Sequence, residues 1–471
     1  MMYKLDLTAV SLSLALMLAA GCTTFSPDGG MEKVNQLTRE RIQQDAAWQR
    51  SEQDARSARA ATRELLAKPQ PLGPDDAVRI ALLNNRGLQA TYADLGIAEA
   101  DVVQAGRLRN PGFSYTRLRR ADEVEIERTF LFDMLGLVTM PLRTELEQRR
   151  FALTQARVAG EVLQLAADTR RAWYAAVAAR ESATYAEHVR QAAEASAELA
   201  RRMAAAGNFS KLDHAREQAF YAEATAQLAR AQQNAVSQRE QLTRLMGLWG
   251  DDASFQMPAR LPDLPTAARD IRDLEAQAIK NRLDVQIAMQ EAENLASSMG
   301  LTRATGFINV FEVGYQRNSA SHEPRQTGYE IELRLPIFDW GGAKVARAEH
   351  TYMQAVHRAA DTAVRARSEV REAYATYRTA YDLAKHYRDE IVPLRKHISE
   401  EVLLRYNGML LSVFELLADA RQQIAAVSSH IDAQRDFWLA ETALNLALTG
   451  KSPGAMKLFA GAAPISGAAE H

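Results

Sequence analysis

The chain has one cysteine, Cys22, in 471 residues, so no disulfide can form within it. Glycine (24) and proline (14) are sparse, and aromatic residues make up only 7%. With so few helix breakers and so much alanine, the composition favours long helices over a conventional α/β globule. Neither sign of charge dominates: 57 basic and 59 acidic residues leave a formal charge of −2. No global field therefore draws the chain to nucleic acid or to an anionic surface. Hydrophobic residues make up 47%, which excludes disorder over most of the length. The apolar stretch Leu7–Ala20 is shorter than the ~20 residues of a comfortable permanent transmembrane helix. Catalytic signatures are missing too. Gly450-Lys451-Ser452 resembles the end of a phosphate-binding loop, but position 445 is Asn and the string follows a helix. There is no HExxH, and His350 and His357, seven apart, read as surface residues before they read as a metal site. No GxSxG elbow is present. Neither an enzyme, a cofactor nor a bound metal is expected.

The N-terminus reads as an export signal. Lys4 gives a thin positive region, Leu7 to Ala20 an apolar one, and Ala19, Ala20 and Gly21 lead into Cys22. The run Leu18-Ala19-Ala20-Gly21-Cys22 resembles a bacterial lipoprotein signal, in which cleavage before the cysteine is followed by its lipidation, although Ala19 stands where that motif usually has Leu. By the same resemblance, Thr23 in place of Asp favours sorting to the outer membrane. The alternative is an ordinary secretory signal with an incidental cysteine.

Beyond the signal the sequence reads as two similar halves. Helical segments around Asn85-Arg86 and Asn281-Arg282 are each followed by alternating segments and then a proline motif, Met140-Pro141-Leu142 or Leu335-Pro336-Ile337. A very long helical stretch, a glycine-containing break and another helix complete each half. A shared order of parts about 195 to 200 residues apart marks an internal duplication. The expected division is 1–21 signal, 22–74 N-terminal segment, 75–270 first repeat, 271–450 second repeat and 451–471 tail. From Val345 to Ile398 small or apolar residues recur every ~3.5 positions, through Ala366, Val370, Ala373, Tyr377, Ala380, Ala384 and Leu394, the coiled-coil period. A similar seam runs from Val158 through Ala172 and Ala176 to Ala186. From Leu142 to Ala206 a helix would extend ~97 Å.

The segments ahead of each proline motif alternate with period two. Val124, Ile126, Phe130 and Phe132 share one face, opposite glutamates and Thr129. Tyr329, Ile331, Leu333, Leu335 and Ile337 face one way, and Glu330, Glu332 and Arg334 the other. Partner strands fit Phe113–Arg119 and Ile308–Arg317, the latter followed by a polar turn from Arg317 to Thr327. A soluble half-buried sheet would alternate likewise. In lipid, two hairpins would leave sheet edges unpaired, and oligomerisation is the natural escape.

Taken together, these parts resemble the TolC-like outer-membrane factor family, over nearly the whole mature chain. The Leu335-Pro336-Ile337-Phe338-Asp339-Trp340-Gly341-Gly342 run is the most family-like string, with Pro336, like Pro141, expected to end a strand ladder. The resemblance implies a mainly α chain with a small β part: long antiparallel helical hairpins building a periplasmic α-barrel, and four strands per protomer entering a trimeric transmembrane β-barrel. It implies a passive homotrimeric conduit of a tripartite efflux or type I secretion system in the Gram-negative outer membrane, anchored in outer-membrane lipid. Its partners would be a periplasmic adaptor and an inner-membrane transporter, the RND type among the options. Adaptor contacts would fall on the tips Gly207, Asn208, Phe209 and Ser210, and Gly408, Met409, Leu410, Leu411 and Ser412. Glu415 and Asp419 are the constriction candidates, with Arg405 and Arg421 as nearby cations, and Glu330, Glu332 and Arg334 would face the lumen. Pro393 is expected to kink the second long helix. The competing reading is a periplasmic coiled-coil adaptor or scaffold lipoprotein without a pore.

Overall fold

The computed structural model describes residues 24–305, 310–321, 323–334 and 337–454. Cys22, the expected signal, Ile308, Leu335, Pro336 and the tail from 455 lie outside the described residues. In chain order the elements are α1 (Met31–Ile42), α2 (Glu52–Leu66), α3 (Pro74–Asn84), α4 (Arg86–Ala105), β1 (Gly112–Arg120), β2 (Glu123–Asp133), α5 (Met134–Ala205) and α6 (Lys211–Met246). There follow α7 (Leu274–Asn281), α8 (Leu283–Thr305), β3 (Phe311–Ala320), β4 (Gln326–Leu333), α9 (Gly342–His386), α10 (Val392–Asn407) and α11 (Val413–Thr449). The order α3–α4–β1–β2–α5–α6 is repeated by α7–α8–β3–β4–α9–α10–α11. Even the joints match: Asn85 after α3 and Arg282 after α7 are single extended residues between consecutive helices.

The described chain forms two compact units that do not follow the repeats, since each draws on both halves. The first holds the chain up to Leu37, Thr91–Ala159 and Asp284–Ala363. It contains one antiparallel sheet in the order β1-β2-β3-β4, so the central pair β2–β3 joins the two halves and β1 and β4 are edges. In register, Phe113 faces Phe130, Phe130 faces Tyr315, and Tyr315 faces Tyr329. Gly314, between Leu131 and Glu330, is required by close approach: a Cβ there would sit 2.9 Å from the Leu131 side chain and 3.2 Å from the Phe130 carbonyl oxygen.

The second unit holds Thr38–Ala90, Gly160–Leu283 and the chain from Val364 on. Its core is the expected small-residue seam, with Ala172, Ala176, Ala366, Val370, Ala380 and Ala384 buried. Alanine at these positions lets helix backbones approach, and aromatics fill the wider gaps: Tyr174 stacks on Trp438 at 5.1 Å and Tyr377 packs on Phe437 at 5.7 Å. Polar atoms of several of these aromatics find partners, as buried N–H and O–H groups generally do. Trp173 Nε1 donates to the Leu72 carbonyl at 2.8 Å, and Tyr381 Oη donates to the Pro265 and Thr266 carbonyls. These bonds pin the non-helical segments before α3 and α7 onto the helices.

Three expectations need correction. Pro141 does not end a strand. The ladder stops at Asp133, whose carboxylate accepts from Gly136 N at 2.6 Å, and α5 starts at Met134 with Pro141 inside it. Pro141 and Leu137 are both exposed, so the i−4 carbonyl that the proline leaves without a donor lies on an exposed face. The second hairpin turn is tighter than Arg317–Thr327, because β3 runs on to Ala320 and Asn318 still faces Gln326. Polar side chains on an exposed face do not end a strand, and Ser321 Oγ prolongs the ladder by accepting from Val124 N at 2.8 Å. The third concerns the seam near Pro393, where a π-helical turn, Tyr387–Ile391, precedes the proline and Val392 N–H bonds the Tyr387 carbonyl. The extra residue rotates the apolar stripe by about 100°, which is why Leu394, expected on the seam, is 59% exposed.

Candidate functional site

Two regions carry the candidate residues, the helical tips of the second unit and the sheet of the first. At the first tip α5 ends in a left-handed residue, Gly207 (φ +79°), with Gly207 N bonded to the Ala204 carbonyl and Asn208 N to the Met203 carbonyl. This is the Schellman pattern, in which a left-handed residue lets orphan helix carbonyls find donors. Ser210 then caps α6, its Oγ accepting from Asp213 N at 3.0 Å. The second tip repeats this, but not from the glycine. Gly408 is right-handed (φ −79°), and Met409 takes the left-handed place at φ 57°. Met409 N bonds the Tyr406 carbonyl and Leu410 N the Arg405 carbonyl, and Ser412 caps α11. Counted from the left-handed residue, Gly207-Asn208-Phe209-Ser210 and Met409-Leu410-Leu411-Ser412 are equal in length.

The two tips meet. Phe209 stacks on Phe414 with ring centroids 5.0 Å apart and planes at 21°. Outside this contact Met409 is 94% exposed, and Leu212 and Leu410 are exposed as well, so the tip carries unpartnered apolar side chains beside polar caps.

Glu415 and Asp419, one helical turn apart, occupy different surroundings. Glu415 is exposed and closes a capping box, its Oε2 accepting from Ser412 N at 2.9 Å and from Ser412 Oγ at 3.0 Å. These bonds, the backbone one first, hold its carboxyl below the ordinary 4.5. Asp419 is buried, and its Oδ2 has no hydrogen-bond partner among the described residues. Of the cations singled out by sequence, Arg405 is exposed and makes no ion pair among the described residues. Arg421 does: its Nη2 lies 2.7 Å from Oε1 of the buried Glu217, and its guanidinium covers the Phe220 ring at 4.4 Å. Ser196 Oγ donates to Glu217 Oε2 at 2.6 Å. One carboxylate thus ties α5, α6 and α11 together. Sequence reasoning missed Glu217 and Ser196. Their signal was faint, a charged residue inside an otherwise apolar helix interface, visible only once the facing helices are known.

The sheet separates charge by face. Every carboxylate of the described strands, Glu123, Glu125, Glu127, Asp133, Glu312, Glu330 and Glu332, lies on one face, by alternation and register. Arg334, just after β4, pairs with Glu332 at 3.7 Å on this side. The other face carries Phe113, Phe130, Phe132, Val313, Tyr315, Tyr329, Ile331 and Leu333, all but half-buried Val313 exposed. After β4 and the two residues outside the description, Ile337, Phe338 and Trp340 are also exposed. Among the described residues no helix is long and apolar enough to cross a membrane, and no cluster of His, Cys, Asp or Glu could hold a metal.

No protein-family profile matches the sequence. The cobalt-zinc-cadmium resistance protein CzcC of Cupriavidus metallidurans is 24% identical over 280 residues, which is 57% of this chain and 64% of that protein. The match thus spans just under two thirds of the length of that relative. Among solved structures, CusC, described in connection with folding and transmembrane channel formation, is similar with a TM-score of 0.67 at 16% identity over 82% of this chain and 93% of that one. The outer membrane protein VceC of Vibrio cholerae gives a TM-score of 0.67 at 17% identity over 80% and 96%. At these identities the likeness establishes the fold: long helices with a four-stranded sheet, as in the outer-membrane channels.

Proposed function

We propose that this chain, which carries the fold of the outer-membrane efflux channels, is the outer-membrane subunit of a tripartite efflux or type I secretion system. It acts as a passive homotrimeric conduit, lipid-anchored through Cys22. The observation that carries this reading is the sheet. An apolar, aromatic face left exposed, an acidic face behind it and two unpaired edges make no sense in water, where edges invite aggregation. They make sense in a bilayer once β4 of one protomer pairs with β1 of the next and closes a barrel. The apolar face then meets lipid, and Glu330, Glu332 and Arg334 line an aqueous duct. With every strand carboxylate on the lumen side, the duct prefers cations.

Energy comes from an inner-membrane transporter, of the RND type for instance, reached through a periplasmic adaptor. The adaptor docks on the exposed apolar side chains of the tips, Met409 and Leu410 above all, with Gly207 to Ser210 and Gly408 to Ser412 as the contact segments. Glu415 and Asp419 follow the second tip and constrict the closed tube. The Ser196–Glu217–Arg421 link holds α11 against α5 and α6 in that state, and the π turn before Pro393 is where α9 and α10 give way when the adaptor pulls. CzcC is named for resistance to cobalt, zinc and cadmium, and divalent metal ions are accordingly the first cargo to test here.

Single-channel recording of the purified protein in a planar bilayer tests the reading. Discrete, cation-preferring conductance is expected. Water-soluble protein with no conductance would favour the scaffold reading. Deletion of the gene should sensitise cells to the cargo while leaving the paired transporter expressed.

A further inference from the structure

The lipid-facing side of the sheet is not apolar throughout. In register with the aromatic row Phe113–Phe130–Tyr315–Tyr329, the next row toward the hairpin turns is Tyr115–Arg128–Arg317–Thr327, and beyond it come Arg117 and Arg119 on β1. Among the described residues these four arginines make no ion pair, and all the strand carboxylates lie on the opposite face, out of reach through the sheet. Arg128 and Arg317 stand directly opposite one another on neighbouring strands. Like charges so placed repel, and the face offers nothing that offsets the repulsion except the Tyr115 ring, 5.9 Å from the Arg128 guanidinium.

We propose that this arginine patch binds the phosphates of a phosphorylated glycolipid, the lipid A moiety of lipopolysaccharide, in the outer leaflet. The inference rests on the barrel reading, which puts this face against lipid. Chain direction supplies the leaflet: the helices leave the strands at the ends away from the turns, at Ala105, Met134, Thr305 and Gly342, so the turn ends point outward. The arginines begin ~7 Å along the strands from the aromatic row, where an aromatic girdle gives way to headgroups. Guanidinium forks match phosphate oxygens with paired, charge-assisted hydrogen bonds. One lipid phosphate between Arg128 and Arg317 turns a repulsion into a bridge.

The test uses full-length protein extracted from outer membranes, delipidated in mild detergent and offered lipid A bisphosphate, lipid A stripped of its phosphates, or inorganic phosphate, with bound lipid read by native mass spectrometry. Wild type is expected to retain the bisphosphate at least about tenfold over the stripped lipid, and an Arg128→Gln/Arg317→Gln double variant to lose that preference. An Arg128→Lys/Arg317→Lys double variant should keep part of it. In lipid-free detergent the glutamine variant should melt no lower than wild type, since it removes facing like charges. Equal retention of both lipids by wild type, an unaltered preference in the glutamine variant, or displacement of the lipid by inorganic phosphate at matched concentration would overturn the proposal. So would a lower melting point of the glutamine variant without lipid, which assigns the arginines to folding. Membrane-inserted protein indifferent to phosphate refutes this inference alone, whereas protein absent from the outer membrane refutes the barrel reading with it.

Discussion

The Glu217–Arg421 pair offers a quantitative test of the helix packing near the tips, because its two ends are unequally buried. The Glu217 side chain is 5% exposed and that of Arg421 40%. Arg421→Met strands a buried carboxylate with the Ser196 hydroxyl as its remaining donor, which should cost about 3 kcal/mol, the low end for breaking a buried pair. Glu217→Gln leaves a cation that water already reaches and keeps a polar group for Ser196, so about 1 kcal/mol is expected. Glu217→Leu combined with Arg421→Met removes both charges and should return to within about 1 kcal/mol of wild type, a coupling that a double-mutant cycle isolates. Thermal melting of the detergent-extracted protein at one fixed scan rate orders the variants, since unfolding of such a protein is expected to be irreversible. In single-channel records the Arg421→Met variant should open more often without adaptor. Equal losses from the two single substitutions, or no recovery in the double variant, would refute the unequal-burial argument.

Leu333→Arg should block membrane assembly at a cost of ~2–4 kcal/mol near the midplane, while Glu332→Gln should assemble normally and weaken cation preference, as measured by outer-membrane fractionation and reversal potentials. At the tips, Met409→Gly should stabilise by about 1 kcal/mol by relieving a left-handed methionine, Gly207→Ala should cost about as much, and Gly408→Ala should be neutral, all by melting point. The capping bond of Glu415 is favourable above its unfolded value of 4.5 and lost as pH falls through its lower folded value, so tip proteolysis should accelerate on acidification through that window; Glu415→Gln should abolish this pH dependence.

The long helices and the strand faces were legible in the sequence because both rest on periodicity: alanines at a 3.5-residue spacing, and alternation in Glu123–Phe132 and Tyr329–Leu333. What the periodicity could not carry was anything decided by local hydrogen bonding. Pro141 resembles a strand terminator, but the stop comes from the Asp133 carboxylate eight residues earlier. At the second tip the Schellman bonds put the left-handed residue at Met409 and not at the adjacent Gly408, a choice fixed by carbonyl geometry that residue type does not reveal. The buried link through Glu217 was illegible for a different reason. Its partners lie 21 and 204 positions away, and only packing brings them together.

The central pairing of the sheet also bears on ancestry. β2 and β3 come from different halves of the chain, joined by ordinary antiparallel register, and the proposed barrel needs the same antiparallel contact between β4 of one protomer and β1 of the next. In that assembly the seams within and between chains would be equivalent. In the proposed barrel, a ring of three duplicated chains would be a ring of six hairpins with alternate seams made covalent, and the gene duplication would then read as the fusion of a former hexamer. Two half-chains divided in the segment before α7, coexpressed, should reassemble the same ring.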